Sequence, residues 1–310
     1  MLFLIIILLL FIMTQNPNNQ NKFWLENLSK IKDTKLKNII LPGTHNSHSY
    51  KINPRNIYGN NKLFKFFSSV YIFDNFIKKW TLNQDYSIYQ QLIMGVRWID
   101  IDVTFDIKNN QWKAVHSFEN GDLNDMLEQI IQFINETNEI ILVVLTPRNI
   151  SPYHIKILNQ YVNSKLENYT IKNTLTNILN TNLSELIKSK QRLLLFSEGK
   201  NSIYNRKLSQ ENWLNTNNYK YGYEKSKNIL LNMERNNFKF NHLSWVLTGR
   251  TKDIIFSFFN QGLKSLNNKF IKQFDIFYEN FNQDLKEKTN IISFDFITIN
   301  LINKIIQLNF

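Results

Sequence analysis

Short apolar runs recur along the chain and alternate with longer segments of helical periodicity. The runs, rich in β-branched and aromatic residues, cover residues 37–41, 98–104, 112–116, 140–145, 192–196, 243–248 and 291–296. Patterns with apolar residues every three or four positions cover residues 123–135, 152–166, 252–266 and 270–285. The short runs predict strands and the longer patterned segments predict helices. Their alternation predicts a parallel sheet whose strands are connected by helices.

Two α/β folds are compatible with this pattern. Seven predicted strands approach the eight of a closed (β/α)8 barrel, but a doubly wound open sheet produces the same alternation. The length of 310 residues suffices for one large domain. No Pro/Gly/Ser-rich linker, repeat or change of composition divides residues 22–310, so we expect a single domain over that range.

The first 13 residues, "MLFLIIILLLFIM", are apolar throughout and are followed at once by the polar "TQNPNNQ". This run is shorter than the roughly 20 residues that a helix needs to span a bilayer. It is typical of the apolar region of a signal peptide, although no Lys or Arg precedes it and no A-x-A cleavage site follows. We therefore expect residues 1–20 to be a signal peptide or an N-terminal hydrophobic anchor, and the protein to be secreted or membrane-associated through the secretory pathway.

The chain is basic, with 37 Lys and Arg against 25 Asp and Glu and a net charge of +12. The basic residues are scattered, which favours acidic surfaces in general, including anionic lipid. No zinc-finger or RNA-recognition motif is present. Because the chain has no Cys, a thiolate zinc site and a disulfide framework are both excluded.

Polar and ionisable residues follow, end or lie within several predicted strands, and a barrel carries its functional groups at the carboxyl ends of its strands. These residues are His45, Asn46, Asp100, Asp102, His116, Glu198 and Asp295. Asp100 and Asp102 are two positions apart and share one face of their strand. Two carboxylates on one face repel each other, so a cation or a nearby base should hold them. Arg97 or a scattered Lys could serve this purpose as an ordinary salt bridge.

Three segments together resemble the X region of the phosphatidylinositol-specific phospholipase C superfamily. They are "LPGTHNS", "QQLIMGVRWIDIDV" and "WKAVHSF", and the later "EIILVVL", "QRLLLF", "LSWVLTG" and "NIISFDF" resemble the remaining strands of the family's barrel. The resemblance implies a (β/α)8 TIM-type barrel, distorted or incompletely closed. It also implies a monomeric phosphoric diester hydrolase that acts on phosphatidylinositol or a related phospholipid at a membrane surface, with no nucleic-acid partner.

The resemblance also implies roles for individual residues. In this chemistry a hydroxyl next to the phosphate attacks phosphorus and diacylglycerol leaves, which requires a base, an acid and compensating positive charge. His45 would be the base or the phosphate-stabilising histidine, His116 the acid for the leaving group, and Asp295 the carboxylate that orients His45. His48 matches no functional position of the family, and we expect it to be an ordinary loop residue.

The family supplies the positive charge in two ways. Its metal-independent bacterial enzymes carry H-D at the first His and D-x-R on the next strand, whereas its calcium-dependent enzymes carry H-N and a carboxylate-x-Asp pair. This chain has Asn46 after His45, and Asp102 stands where the Arg would be. The resemblance therefore implies a Ca²⁺ ion held by Asn46, Asp100 and Asp102, whose oxygens suit a hard cation.

One position departs from the calcium-dependent pattern. The fourth ligand of that pattern is a Glu at the end of "ILVVL", where this chain has Thr146 followed by Pro147 and Arg148. Glu198 lies near the place of a phosphate-reading Lys in the calcium-dependent relatives. We expect Glu198 and Arg148 to contact the substrate, and a metal-independent mechanism stays open.

Three alternatives accompany this interpretation. The segment "GVRWIDIDVTFD" followed by a His also resembles glycerophosphodiesterases and sphingomyelinase-D-like enzymes, although "PGTHNS" does not favour them. A catalytically inactive lipid-binding relative would share the same motifs. The segment over residues 62–80, "KLFKFFSSVYIFDNFIKKW", is either a lipid interface or a scaffold helix whose Phe residues pack on the barrel.

Overall fold

The computed structural model describes residues 19–59, 62–209, 211–234, 238–256 and 262–310. Most of the predicted leader and residues 257–261, in the middle of the helix expected over residues 252–266, lie outside these ranges. None of the described helices is long and apolar enough to cross a membrane.

Over the described residues the chain forms eleven strands in one sheet. They are β1 (Leu41–Thr44), β2 (Asn53–Ile57), β3 (Trp98–Asp106), β4 (Gln111–His116), β5 (Phe118–Asp122), β6 (Ile141–Pro147), β7 (Leu193–Ser197), β8 (Tyr204–Asn205), β9 (Glu211–Asn212), β10 (His242–Trp245) and β11 (Ile291–Phe294).

Eight of these strands run parallel and curl into a barrel. From β1 the order continues on one side through β3, β6, β7 and β8, and on the other through β11, β10 and β9. No ladder among the described residues joins β8 to β9, so the barrel is open between its two shortest strands. The TIM-type barrel, in a distorted and incompletely closed form, is confirmed, and the doubly wound alternative is excluded.

The expectation that residues 112–116 form a barrel strand is wrong. This run is β4, which pairs antiparallel with the second half of β3 and continues the sheet through β5 and β2 outside the barrel. The reason is the length of β3, whose nine residues extend beyond the four-residue β1 and leave an edge free for a hairpin. Two strands of two residues, β8 and β9, complete the eight instead, and such short strands have no detectable periodicity.

Thirteen α-helices lie in the described ranges. They are α1 (Trp24–Ile31), α2 (Lys62–Phe67), α3 (Asp74–Thr81), α4 (Ile88–Met94), α5 (Leu123–Glu136), α6 (Pro152–Leu166), α7 (Leu175–Asn180), α8 (Leu183–Lys188), α9 (Tyr219–Asn232), α10 (Thr251–Phe256), α11 (Leu263–Glu279), α12 (Gln283–Lys288) and α13 (Ile299–Gln307).

The predicted helices over residues 123–135 and 152–166 are confirmed as α5 and α6. The helix predicted over residues 270–285 is instead two helices, α11 and α12. Asn282 causes the break because its side chain caps α12 by accepting a hydrogen bond from the Leu285 N–H. Asn at such a position competes with helix continuation and favours a new N-terminus.

A buried ion pair closes the end of the barrel opposite the carboxyl ends of the strands. Arg97, directly before β3, lies 2.7 Å from Glu139, two residues before β6, and both side chains are fully buried. Glu139 also accepts the backbone N–H groups of Leu25 and Glu26 in α1. Arg97 therefore binds α1 to the barrel through Glu139 and does not neutralise Asp100 or Asp102.

Removing one partner of this pair should destabilise the fold. We expect Glu139→Ala to lower the free energy of unfolding by about 3–5 kcal/mol, because it leaves a buried guanidinium without a counter-charge. Arg97→Met with Glu139→Leu should recover most of that loss. Denaturant unfolding measures both, and Glu167→Ala, which removes an exposed pair with Lys172, is the control expected to change little. A Glu139→Ala protein as stable as the parent would contradict this role.

Candidate active site

The carboxyl ends of the barrel strands surround a cavity of about 460 Å³. Seven of the eight predicted site residues line it: His45, Asn46, Asp100, Asp102, His116, Arg148 and Asp295. Trp80, Arg206, Trp213 and Leu263 also contribute to its wall. A larger groove of about 830 Å³ between α3 and α11 contains none of the predicted residues. The site chemistry therefore lies in the smaller cavity.

His45 is held against a buried carboxylate. Its Nδ1 lies 2.9 Å from Asp295 Oδ1, and the Asp295 side chain is 1% exposed. Asn267 donates to the other oxygen of Asp295 at 3.3 Å, and Gln84 donates to the backbone carbonyl of His45 at 2.8 Å. With Nδ1–H donated to Asp295, Nε2 carries the lone pair, so the ring can accept a proton. This arrangement suits a general base.

The turn that carries His45 is bound to β3 through Asp100. The Asn46 N–H donates to Asp100 Oδ2 at 3.0 Å, and the Ser47 N–H donates to the Asp100 carbonyl at 2.8 Å. The Asp100 N–H donates in turn to Ser47 Oγ at 2.8 Å. Asp100 therefore fixes the position of His45 relative to β3.

His48 is not an ordinary loop residue, contrary to expectation. Its side chain is fully buried, with one ring nitrogen 3.3 Å from the Asp100 carbonyl and the other 3.2 Å from the Val115 carbonyl. Burial lowers its pKa, against the opposing charges of Asp102 and Asp100. His48 thus connects β3 to β4, the strand that ends in His116.

His116 faces His45 across the cavity. The two ring centroids are 6.5 Å apart and the ring planes meet at 79°. Burial lowers the pKa of His116 to about 3, Asp102 opposes the shift, and the positive charges of His45, His48 and Arg148 add to it. His116 is therefore neutral at neutral pH while no anion is bound beside it.

Asp102 and Arg148 form a salt bridge inside the cavity. Asp102 Oδ2 lies 2.7 Å from Arg148 Nε. The other oxygen, Oδ1, is buried and has no hydrogen-bond partner among the described residues. A second arginine in the wall, Arg206, is bound by Glu198 at 3.0 Å. Glu198 does not line the cavity and reaches it only through Arg206.

The donor set does not fit a calcium ion. Ca²⁺ takes six to eight oxygen ligands. Here one Asp100 oxygen accepts the Asn46 N–H, and one Asp102 oxygen is occupied by a guanidinium. Thr146 supplies only a hydroxyl, and within the described ranges no three His, Asp, Glu or Cys side chains form a group suited to a metal. Calcium binding by Asn46, Asp100 and Asp102 stays a prediction of the sequence.

Left-handed residues follow several of the side chains that line the cavity. Seven non-glycine residues of the described chain have positive φ, and four of them come directly after a cavity residue. These four are Asn46 (φ 45°), Ser117 (φ 62°), Asn149 (φ 54°) and Phe296 (φ 50°), which follow His45, His116, Arg148 and Asp295. Such conformations are uncommon outside glycine and cluster at functional sites.

Three residues in or beside the site are not predicted by the sequence patterns. Arg206 lies in a 3₁₀ turn (Arg206–Ser209) between the two-residue strands. Gln84 and Asn267 act through backbone and carboxylate contacts that no local pattern reveals. The segment "QQLIMGVRWIDIDV" did include Gln91, whose side chain accepts from Thr44 Oγ1 and donates to the Ser47 carbonyl.

The segment over residues 62–80 combines features of both interpretations made for it. Phe67 and Phe76 are buried beside the barrel, and Trp80 lines the cavity. By contrast, Tyr71 and Ile72 are 79% and 81% exposed. The segment therefore packs as a scaffold on one side and presents an apolar edge on the other.

The parallel barrel brings two histidines to one cavity, and a known family matches most of the chain that forms it. The PI-PLC X domain pattern matches residues 75–299. The chain therefore belongs to the PI-PLC X family. His45 and Asn46 precede the matched range, so their inclusion in the site rests on the geometry.

Curated relatives match a smaller part of the chain. A PI-PLC X-box domain-containing protein of Dictyostelium discoideum is 31% identical over 126 residues, 39% of this chain and 16% of that protein. A PI-PLC X domain-containing protein of the same organism is 27% identical over 117 residues, 37% of this chain and 20% of that protein. The matched region is thus a minor part of both relatives.

Solved structures match almost the whole fold. Phosphatidylinositol-specific phospholipase C from Listeria monocytogenes aligns with a TM-score of 0.67 at 20% identity, covering 94% of this chain and 99% of that one. A pentafluoro-Phe-containing form of the Staphylococcus aureus enzyme aligns with a TM-score of 0.68 at 15% identity, covering 96% and 100%. At these identities the likeness establishes the fold.

The left-handed backbone after His116 yields a matched pair of variants. A β-branched side chain at φ 62° is strained, whereas glycine adopts this conformation freely. We expect Ser117→Val to lower the free energy of unfolding by about 1–3 kcal/mol and Ser117→Gly to leave it nearly unchanged. Thermal unfolding measures both. Equal melting temperatures for the two variants would show that this backbone conformation is unimportant.

His242, on β10 beneath the cavity, should make stability depend on pH. It is fully buried 2.7 Å from Ser293 Oγ, and burial, aided by His45, lowers its pKa from 6.5 to about 3. Between these two pH values the unfolded chain binds more protons than the folded chain. The contribution of neutral His242 to the free energy of unfolding is therefore fully present above pH 6.5, and it is lost as the pH is lowered towards 3.

We expect the unfolding free energy of the parent to decline more steeply in this window than that of His242→Gln. The difference is at most about 1.4 kcal/mol per pH unit for one histidine. Denaturant unfolding at a series of pH values gives both slopes. Identical slopes would mean that His242 is not held neutral.

Proposed function

We propose that the protein is a phosphoric diester hydrolase of the phospholipase C type, which cleaves phosphatidylinositol or a related phospholipid. One observation carries this proposal: His45 and His116 face each other with ring centroids 6.5 Å apart, and a buried Asp295 supports His45. Two imidazoles at this separation can contact one phosphate group from two sides. The structural neighbours are phosphatidylinositol-specific phospholipases C, and this agrees with the proposed substrate class.

In the proposed reaction, His45 removes the proton of a substrate hydroxyl next to the phosphate. That oxygen then bonds to phosphorus, and the bond from phosphorus to the diacylglycerol oxygen breaks. His116 gives its proton to the leaving oxygen, which completes the diacylglycerol.

His116 needs a proton before it can act as the acid. Its pKa of about 3 belongs to the cavity without a bound anion. A phosphodiester placed between the two rings adds a negative charge beside His116, and an opposite charge at contact distance favours the protonated imidazole. Substrate binding therefore prepares the acid in this scheme.

The exposed apolar edge on the segment over residues 62–80 supports a membrane as the place of the reaction. Tyr71 and Ile72 are exposed on the segment that also supplies Trp80 to the cavity wall. Lys78 and Lys79 follow on the same segment and are exposed. Apolar side chains flanked by lysines suit the headgroup boundary of a lipid bilayer.

We expect His45→Ala and His116→Ala each to lower kcat for phosphatidylinositol hydrolysis by roughly 10²–10⁴-fold, the usual contribution of a general acid or base. Release of water-soluble phosphate ester from vesicles measures the rate. His154→Ala is the matched control, because His154 lies on α6 away from the cavity lining, where its Nδ1 is 2.9 Å from Ser151 Oγ and its ring packs against Phe105 and Tyr153. Full activity of the His116→Ala protein would refute the assignment.

The same assay with a panel of lipids separates the alternatives. Preferred turnover of glycerophosphodiesters or sphingomyelin would replace this proposal with the glycerophosphodiesterase or sphingomyelinase-D-like one. Vesicle binding without turnover of any lipid would identify an inactive lipid-binding member of the family.

A further inference from the structure

We propose that the Arg148 guanidinium is the fixed positive charge of this active site and binds the substrate phosphate in the place of a divalent cation. The inference rests on the proposed function and adds to it. Its basis is the position of Arg148, its pairing with Asp102 and the shortage of other positive charge in the cavity.

The backbone of Arg148 is fixed to β3 at the end of β6. The register pairs Asp102 with Thr146 and Val103 with Pro147, so Arg148 is the first residue beyond the paired strand. Its N–H donates to the Val103 carbonyl at 2.7 Å, and its carbonyl accepts from Thr104 Oγ1 at 2.9 Å. Both backbone polar groups are thus occupied, which fixes the starting point of the side chain.

Arg148 shares its local geometry with the two histidines and Asp295. The residue after each of these four has positive φ, and Asn149 is the one that follows Arg148. A left-handed residue turns the chain away sharply at the end of a strand while the preceding side chain stays at the cavity. Arg148 therefore has the same backbone arrangement at its strand end as the two histidines and Asp295.

The guanidinium is held in a position to bind an anion. Nε lies 2.7 Å from Asp102 Oδ2, and half of the side chain remains exposed. The terminal nitrogens have no hydrogen-bond partner among the described residues, so they can donate in parallel to two phosphate oxygens. A guanidinium keeps its proton throughout the ordinary pH range, so the group is charged at every working pH.

The charge of the cavity requires such a group. Asp100, Asp102 and Asp295 line the same space that a phosphodiester anion must enter. Arg206, also in the wall, is bound by Glu198, whose charge offsets its own. Arg148 lines the same cavity as His45 and His116. The guanidinium therefore lies at the wall of the space that contains both histidines.

A calcium ion at this place would have to share Asp102 with the guanidinium. Two positive groups on one carboxylate repel each other, and Thr146 offers no charge to hold a second cation. This arrangement gives the Asp100-x-Asp102 pattern a different interpretation from a pair of calcium ligands. Asp102 occupies the position of an Arg in the D-x-R pattern, and here it holds an Arg that comes from the adjacent strand.

The test is hydrolysis of phosphatidylinositol vesicles by the full chain in the presence of chelator. We expect the parent to keep its rate in chelator and Arg148→Ala to lose roughly 10²–10³-fold in kcat, as when one donor to a transition-state oxyanion is removed. Arg148→Lys should fall between them, because an ammonium keeps the charge but not the fork. Arg206→Ala is the matched comparison, and we expect a smaller loss from it.

A second readout separates phosphate binding from a purely structural role. Added guanidinium chloride, at concentrations that leave the fold intact, should partly restore Arg148→Ala but not His116→Ala. Loss of the parent's activity in chelator with recovery in Ca²⁺ would overturn this inference and leave the proposed function standing. So would an Arg148→Ala protein with unchanged kcat.

A binding experiment decides the case if no lipid is turned over, in which case the proposed function fails. Dimethyl phosphate and inorganic phosphate are titrated in chelator into the parent, Arg148→Ala and Arg206→Ala by calorimetry. Binding that weakens at least tenfold in Arg148→Ala alone supports Arg148 as the phosphate ligand. Equal binding by all three proteins, or binding by none of them, overturns it.

Discussion

The hydrogen bonds between Asp100 and the turn after β1 are the contacts on which the rest of the site depends. Two backbone N–H groups of that turn, from Asn46 and Ser47, bind the side chain and the carbonyl of Asp100. These bonds place His45 within reach of Asp295 on one side and align β3 so that Asp102 faces the cavity on the other. A carboxylate that accepts buried backbone donors cannot be replaced without leaving those donors unsatisfied. Asp100 is thus explained by structure before any metal is considered.

The second constraint is the backbone at the strand ends. Left-handed residues after His45, His116, Arg148 and Asp295 cost free energy, and they persist because neighbouring contacts fix them. Asn serves this purpose twice, since it adopts the left-handed conformation more readily than most residues. Asn46 therefore has a conformational reason for its identity that is independent of calcium. The sequence does not distinguish an Asn that binds a metal from an Asn that is needed for the turn.

The sequence predicted the barrel and the two histidines because both depend on local signals. Apolar runs of five or more residues mark most of the strands, although the run over residues 37–41 overlaps β1 only at Leu41. The turn "PGTHNS" is a compact motif. The same reasoning could not find β8 and β9, since two residues carry no periodicity. It misplaced β4 because pairing direction depends on the free edge of β3, a property of the assembled sheet. His48 was misjudged for a similar reason: only the folded chain brings the Val115 carbonyl to its ring.

The position of Arg148 likewise depends on tertiary structure, because it follows from the register between β3 and β6. Asp102 pairs with Thr146, so the side chain two residues further along the chain, just beyond the end of β6, contacts the carboxylate. A bound metal brings positive charge only at concentrations that saturate its site, because its contribution depends on mass action. A guanidinium on an anchored backbone is in place as soon as the chain has folded, and its N–H donors are oriented before the substrate binds. Holding it costs the chain one carboxylate, Asp102, whose Oδ2 is committed to Arg148. In this proposal the two aspartates have different roles. Asp100 positions His45, the proposed base, and Asp102 positions the Arg148 guanidinium.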